Sequence, residues 1–207
     1  MAEAANELPT RRSRAKADRR SALLRAAAEL FAERGFNGVS LEDLGAAAGV
    51  SGPAVYRHFA GKQAVLGALL VGVSEHLLSG GQSVGAGAAA DDEALLGLVR
   101  FHVDFALNNP DVIRVQDRDL TSLADADRAA VRSLQRTYVE LWVQVLSRLH
   151  PGVDAASLRI RAHAVFGLIN STPHSGRAPG SDATRLSRTK VGTILEQLAS
   201  AALLAPA

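Results

Sequence analysis

The sequence contains no cysteine, which excludes disulfides and thiolate metal sites. Aromatic residues make up only 4%, so alanine and leucine must fill most of any core. The longest apolar run, 64–73, has glycines inside it and falls short of the roughly 20 residues that span a bilayer. No apolar signal segment opens the chain, so a cytoplasmic location with no membrane partner is expected. Catalytic patterns are missing as well. The histidines are His58, His76, His102, His150, His163 and His174, and none pairs with a second histidine or a carboxylate at metal-ligand spacing such as H-E-x-x-H. Gly49-Val50-Ser51-Gly52-Pro53 approaches the hydrolase elbow G-x-S-x-G, but proline replaces the last glycine and no strand leads into it. Gly85-x-Gly87-x-x-Ala90 approaches a dinucleotide fingerprint, but it follows a helix and not a strand. Phosphate-loop spacing does not occur. The expectation is a chain without enzymatic activity, cofactor or metal site.

What is present is a helical chain with an uneven distribution of charge. Hydrophobic residues are 47% of 207, enough for a substantial core in one large or two small domains. The net charge of +2 does not by itself demand a nucleic acid. Its placement says more: Arg11, Arg12, Arg14, Lys16, Arg19, Arg20 and Arg25 are opposed locally only by Asp18. Residues 1–16 are polar and then basic without periodicity, and are expected to be a disordered arm. The arm is either a solubilising tail or a contact to DNA phosphates or the minor groove.

From about Ala17 to Arg34, Leu23, Leu24, Ala27, Leu30 and Phe31 form one apolar stripe of a helix. Gly35 ends it. The stretch Ser40 to Lys62 then reads as two short helices joined by a tight turn. Ser40 caps the first, with Glu42 and Asp43 at its positive end. Gly49 stops it, since glycine enters the left-handed region at low cost. Ser51 can cap the second helix, and Pro53 falls in its first turn. Val55 and Phe59 lie four apart and face inward, leaving Pro53, Ala54, Tyr56, Arg57 and His58 nearer the surface. A helical hairpin explains the caps and the glycine. It does not explain Tyr56-Arg57-His58 followed by Lys62, which suit a DNA-reading helix-turn-helix.

Leu24-x-x-Ala27-x-x-Leu30-Phe31, Gly35-Phe36, Ser40-Leu41, Gly49-Val50-Ser51, Tyr56-x-x-Phe59 and Lys62 together resemble the N-terminal domain of the tetracycline-repressor (TetR) family. The resemblance runs from about Arg20 to Leu70. It implies an all-α homodimeric transcription regulator, usually a repressor, released from a palindromic operator by a small ligand. It also implies that the helix from Ser51 to about His58 enters the major groove. Gly52, Pro53, Ala54, Tyr56 and Arg57 would then face bases or nearby backbone, and Ser40, Tyr56, His58 and Lys62 would touch phosphates. The chemistry agrees: hydroxyls and ammonium groups bind phosphate without sequence preference, and a guanidinium such as Arg57 can pair with guanine. Gly52 departs from the family pattern, offering no side chain where relatives often place a polar reader.

A fourth helix is expected at 62–78, connecting a DNA-binding domain at 17–61 to a ligand-binding and dimerisation domain at 79–207. Ser79 to Ala90, rich in glycine and alanine, is expected to open that domain as a flexible loop. Further helices follow, opened by Pro110, Asp154 and Ser181, with a loop from Pro173 to Gly180. Strand signals are missing, so the architecture is all-α. Phe101, Phe105, Tyr138, Trp142 and Phe166 are candidate pocket walls, with His102, Arg114, Arg118, His163 and Asn170 as candidate anchors for a head group. An acyl thioester or a planar aromatic molecule would suit such a lining. Ala162, Val165 and Gly167 on one helix, and Val191, Ile194, Leu195, Leu198 and Ala202 on the last, are candidates for a four-helix dimer interface. Movement of the fourth helix is expected to transmit ligand binding to the reading helices. The competing function is a helical adaptor for a protein or lipid partner.

Overall fold

The computed structural model describes residues 11–175 and 186–206. Among these residues every regular element is helical. The order is α1 (Arg11–Arg34), α2 (Leu41–Ala47), α3 (Gly52–Val55), α4 (Lys62–Gly87), α5 (Asp91–Asn108), α6 (Pro110–Asp119), a 3-10 turn (Leu120–Ser122), α7 (Asp125–Leu149), α8 (Ala155–Asn170), α9 (Thr172–Ser175) and α10 (Arg188–Leu204).

Two apolar cores organise these helices. The first joins Leu23, Ala27 and Phe31 of α1 to Leu44, Val55, Phe59, Val65 and Leu66. Val112 and Val115 of α6 and Val131 of α7 belong to it too, so the N-terminal module is closed by helices from the other half. The second core gathers α5, α7, α8 and α10 around Trp142, which is fully buried. Helix α4 serves both: Val65, Leu66 and Leu70 enter the first, and Val73 and Leu77 pack on the second.

The structure departs from the sequence reading at three places. Helix α1 begins at Arg11, so the basic residues 11–16, expected to be disordered, form its first turns; residues 1–10 lie outside the described chain. Helix α4 continues to Gly87, through the stretch expected to be a flexible loop. Packing overrides the low helix propensity of glycine here. A Cβ on Gly80 would lie 2.2 Å from the Phe101 ring, and one on Gly81 would lie 2.7 Å from the Tyr138 ring. Only glycine lets α5 and α7 approach α4 so closely. Finally, α10 begins at Arg188, capped by the Ser187 side chain accepting from Lys190 N at 3.2 Å. The cap proposed at Ser181 lies outside the described residues, and the expected loop after Pro173 begins as the short helix α9.

The 26 residues of α4 are long and apolar enough to cross a bilayer, contrary to the estimate from the apolar run alone. The helix is instead built into both cores along one side.

The glycines of α4 separate close approach from open space in one experiment. Gly81→Ala is expected to destabilise by about 1–3 kcal/mol through overpacking. Gly72, whose Cβ would meet nothing within 4 Å, is expected to gain up to about 1 kcal/mol as alanine. Urea unfolding of the two variants checks the opposite signs.

Candidate functional site

The turn between α2 and α3 is built from local chemistry. The Ser40 hydroxyl accepts from Asp43 N at 3.0 Å and donates to Asp43 Oδ2 at 2.7 Å. Ser40 N donates to the same carboxylate at 2.8 Å, which completes a reciprocal capping box. Hydrogen bonds from Ser40 hold the Asp43 carboxyl below its usual range. At the other end Gly49 has φ +67°. Val50 N donates to Gly45 O at 2.9 Å and Gly49 N to Ala46 O at 3.2 Å, the paired bonds of a glycine-terminated helix. Ser51 begins the next helix in extended conformation, but its side chain makes no capping bond; Pro53 in the first turn needs none.

Val55 is fully buried and Phe59 nearly so, and together they fix the roll of α3. The helix proper ends at Val55, but His58 N and Phe59 N still donate to Val55 O at 2.9 and 3.0 Å. That places Tyr56, 58% exposed, and exposed Arg57 outward, beside exposed Ser51 and Pro53 and half-buried Ala54. Gly52 sits at the start of α3.

The expected phosphate contacts are less free. The Lys62 ammonium donates to Phe36 O at 2.7 Å and lies 4.4 Å from the Phe36 ring centroid. It therefore ties α4 to the end of α1, leaving two donors uncommitted. The Ser40 hydroxyl already donates its hydrogen bond to Asp43. His58 is half-buried with Nδ1 unpartnered.

The candidate ligand anchors split into two groups. His102, Tyr138, Trp142, Phe166 and Asn170 meet between α5, α7 and α8. The His102 ring stacks on Tyr138 at 5.8 Å and lies tilted against Phe166 at 4.9 Å, with Trp142 edge-on at 6.0 Å. Its two ring nitrogens face the Tyr138 hydroxyl and Asn170 Oδ1, each at 3.3 Å. Burial pushes the His102 pKa down to about 4 and the Tyr138 phenol up, so both are neutral at pH 7. Phe101 and Phe105 stand on the neighbouring face of α5, against His76.

Arg114 and Arg118 do not join this cluster. Arg114 pairs with Asp111 at 3.0 Å and donates to Pro173 O at 2.8 Å. Arg118 reaches across to α1, donating to Phe31 O and, at 3.4 Å, to Ala32 O, while pairing with buried Asp119 at 3.1 Å. It caps the C-terminal end of α1, adding a second donor to Phe31 O, which already accepts from Gly35 N at 2.8 Å, and reaching Ala32 O in the last turn. Sequence reasoning missed this because the partner atoms are backbone, more than eighty positions away.

The aromatic cluster is closely packed, with His102, Tyr138 and Trp142 buried and Phe166 and Asn170 half-buried. Of the candidate walls and anchors, Phe105 borders a cavity of about 550 Å³ among α1, α4, α5 and α6. Another, of about 590 Å³, lies between α7 and α8 and includes His163 and the ion pair Arg159–Glu140.

The dimer candidates also divide. Ala162, Val165 and Leu195 are buried in the protomer's own core, and Val191 is half-buried against it. Gly167, Ile194, Leu198 and Ala202 are exposed. Ile160, missed from the sequence, is 69% exposed one turn from Ala164. The solvent face of α8 and α10 is thus an apolar stripe offset from the one expected. Opposite faces of one helix are told apart by what the other face packs against.

Residues 23–69 match the profile of bacterial regulatory proteins of the tetR family, and residues 88–181 match the tetracyclin repressor-like C-terminal domain. The HTH-type transcriptional repressor KstR2 of Rhodococcus jostii (strain RHA1) is 28% identical over 145 residues, 70% of either chain. A TetR-family regulator from Bordetella parapertussis 12822 superposes with a TM-score of 0.74 at 26% identity, over 87% of this chain and 93% of that one. AibR, solved in complex with isovaleryl coenzyme A and operator DNA, superposes with a TM-score of 0.69 at 19% identity, over 87% and 97%. The chain belongs to the TetR family, and is a helix-turn-helix, DNA-binding transcriptional regulator and not an enzyme.

Proposed function

We propose that the chain is a cytoplasmic homodimeric repressor that leaves a palindromic operator when a small, largely apolar molecule binds its C-terminal half. The observation that carries the reading is the outward pair Tyr56-Arg57, held in place by buried Val55 and Phe59. Arg57 supplies direct base readout, and Tyr56, Ser51 and the basic turns of α1 supply phosphate contacts. Two copies would join through the stripe on α8 and α10, setting their α3 helices for successive major grooves about 34–36 Å apart. Lys62, Ser40 and His58 act mainly by holding the reader together.

The effector would enter the core around His102, Tyr138, Trp142, Phe166 and Asn170. Two features favour this place. Trp142 Nε1 is buried and has no hydrogen bond of good geometry, only a contact with the Tyr138 oxygen, and a ligand carbonyl would satisfy it better. The lining is aromatic and neutral, so an acyl thioester or a planar aromatic body suits it. The isovaleryl coenzyme A held by AibR supports the first of these. Since the cluster is closely packed, binding must open α5 against α8, and the release follows if the opened form presents its readers wrongly. About a 10⁴-fold preference between forms takes the equilibrium from nearly all bound to nearly none.

Two experiments test the reading. Arg57→Ala is expected to cost about 1–3 kcal/mol on the site selected from random DNA by the wild type, and to relax selection at a guanine; an unchanged selected motif would remove Arg57 from base readout. Ile194→Glu with Leu198→Glu, both at exposed positions, is expected to leave folded monomer in light scattering. A folded dimer of wild-type mass would place the interface elsewhere.

A further inference from the structure

The cavity of about 550 Å³ between the two halves is not part of the aromatic core. Helices α1, α4, α5 and α6 all contribute to its wall, and its size lies in the range of small-molecule sites. Its lining is graded. Leu24 and Ala28 of α1, Leu69 and Val73 of α4, and Phe105 form an apolar floor. Arg20, Ser21 and Arg25 stand along the N-terminal part of the α1 rim. Neither guanidinium has an ion-pair partner among the described residues; Arg20 lies 5.1 Å from the Phe59 ring. The acidic groups on the wall are Glu29 and Asp111. Asp111 is already held by Arg114, and Glu29 lies a helical turn beyond Arg25. The neutral walls are also spoken for: Asn108 donates to Asp104, and Asn109 to Phe105 O at 2.8 Å. His76, on α4, adds a further basic ring.

One glycine makes the space. Gly72 lines the cavity from α4, is exposed, and has nothing within 4 Å of where its Cβ would be. Any larger side chain there would stand in the cleft.

We infer that this cleft is a second ligand site, for an amphipathic carboxylate whose apolar body lies on the Leu24–Leu69–Phe105 floor and whose head group takes the free donors of Arg20, Ser21 and Arg25. Free guanidiniums at the rim of an apolar slot favour an anion over a neutral or cationic molecule of equal length. Because the wall is shared between the halves, an occupant biases how α1 sits on α4 and α6, to the extent that it prefers one arrangement. The site is independent of the effector reading for the aromatic core.

The test uses the full-length protein and decanoate, decanol and decylamine below micelle-forming concentrations, with binding measured by titration calorimetry. Decanoate is expected to bind the wild type at least tenfold more tightly than decanol or decylamine. Gly72→Leu fills the slot while raising helix propensity, and is expected to weaken decanoate at least tenfold with an unchanged circular dichroism spectrum. Arg25→Gln is expected to weaken decanoate severalfold and leave decanol unaffected. Phe166→Leu, in the aromatic core, is titrated alongside to show whether decanoate enters that core instead. No decanoate binding, equal affinity for decanol, or a Gly72→Leu variant that binds normally would overturn the proposal. Loss in Phe166→Leu with retention in Gly72→Leu would also overturn it, while leaving the effector reading standing.

Discussion

Beyond the apolar core that the reader shares with α4, α6 and α7, one guanidinium clamps the end of α1 to α6. Arg118, at the end of α6, donates to the last carbonyls of α1 at Phe31 and Ala32 and pairs with buried Asp119. Phe31 O also accepts from Gly35 N at 2.8 Å and keeps that partner without Arg118, whereas Ala32 O would lose the donor that reaches it from α6, at a cost of about 1–3 kcal/mol for a carbonyl left unsatisfied. Phe31 also packs in the core that holds Leu44, Val55 and Phe59. Moving the end of α1 therefore moves the base of α3. Lys62 makes the matching contact from α4, onto the carbonyl of Phe36 just beyond Gly35. Two cations thus fix the short segment between α1 and α2, one from each helix that crosses between the halves.

This changes where a signal can travel. The sequence suggested that the fourth helix alone bridges the halves. Helix α6 bridges them as well: Val112 and Val115 lie in the N-terminal core while Ile113 lies in the C-terminal one. On the proposed effector reading, a molecule that parts α5 from α8 would reach α6 through the Asn109 junction, and the proposed cleft against α1 borders the same helix. Both routes end at the carbonyls that Arg118 holds.

What could be read in the sequence was local. The Ser40 cap, the left-handed Gly49 and the buried pair Val55–Phe59 depend on residues within a few positions of one another, and each stands as the spacing implied. What could not be read was decided at a distance. Gly80 and Gly81 looked like loop residues until Phe101 and Tyr138 were found against them. Arg118 looked like a ligand anchor because its carbonyl partners carry no sequence signature. Ala162 and Leu195 share apolar periodicity with the exposed Ile194 and Leu198, and periodicity alone does not say which apolar face is solvent's.

The claim at the centre of this account is that the α6 seam sets the position of the reading helix. It is tested by Arg118→Leu combined with Asp119→Asn, so that no buried carboxylate is left unpaired, using amide hydrogen exchange together with affinity for the DNA selected by the wild type. The account predicts faster exchange from Gly35 to Phe59, unchanged protection in α5, α7 and α8, and severalfold weaker DNA binding. Wild-type exchange across residues 35–59 with wild-type affinity would contradict it.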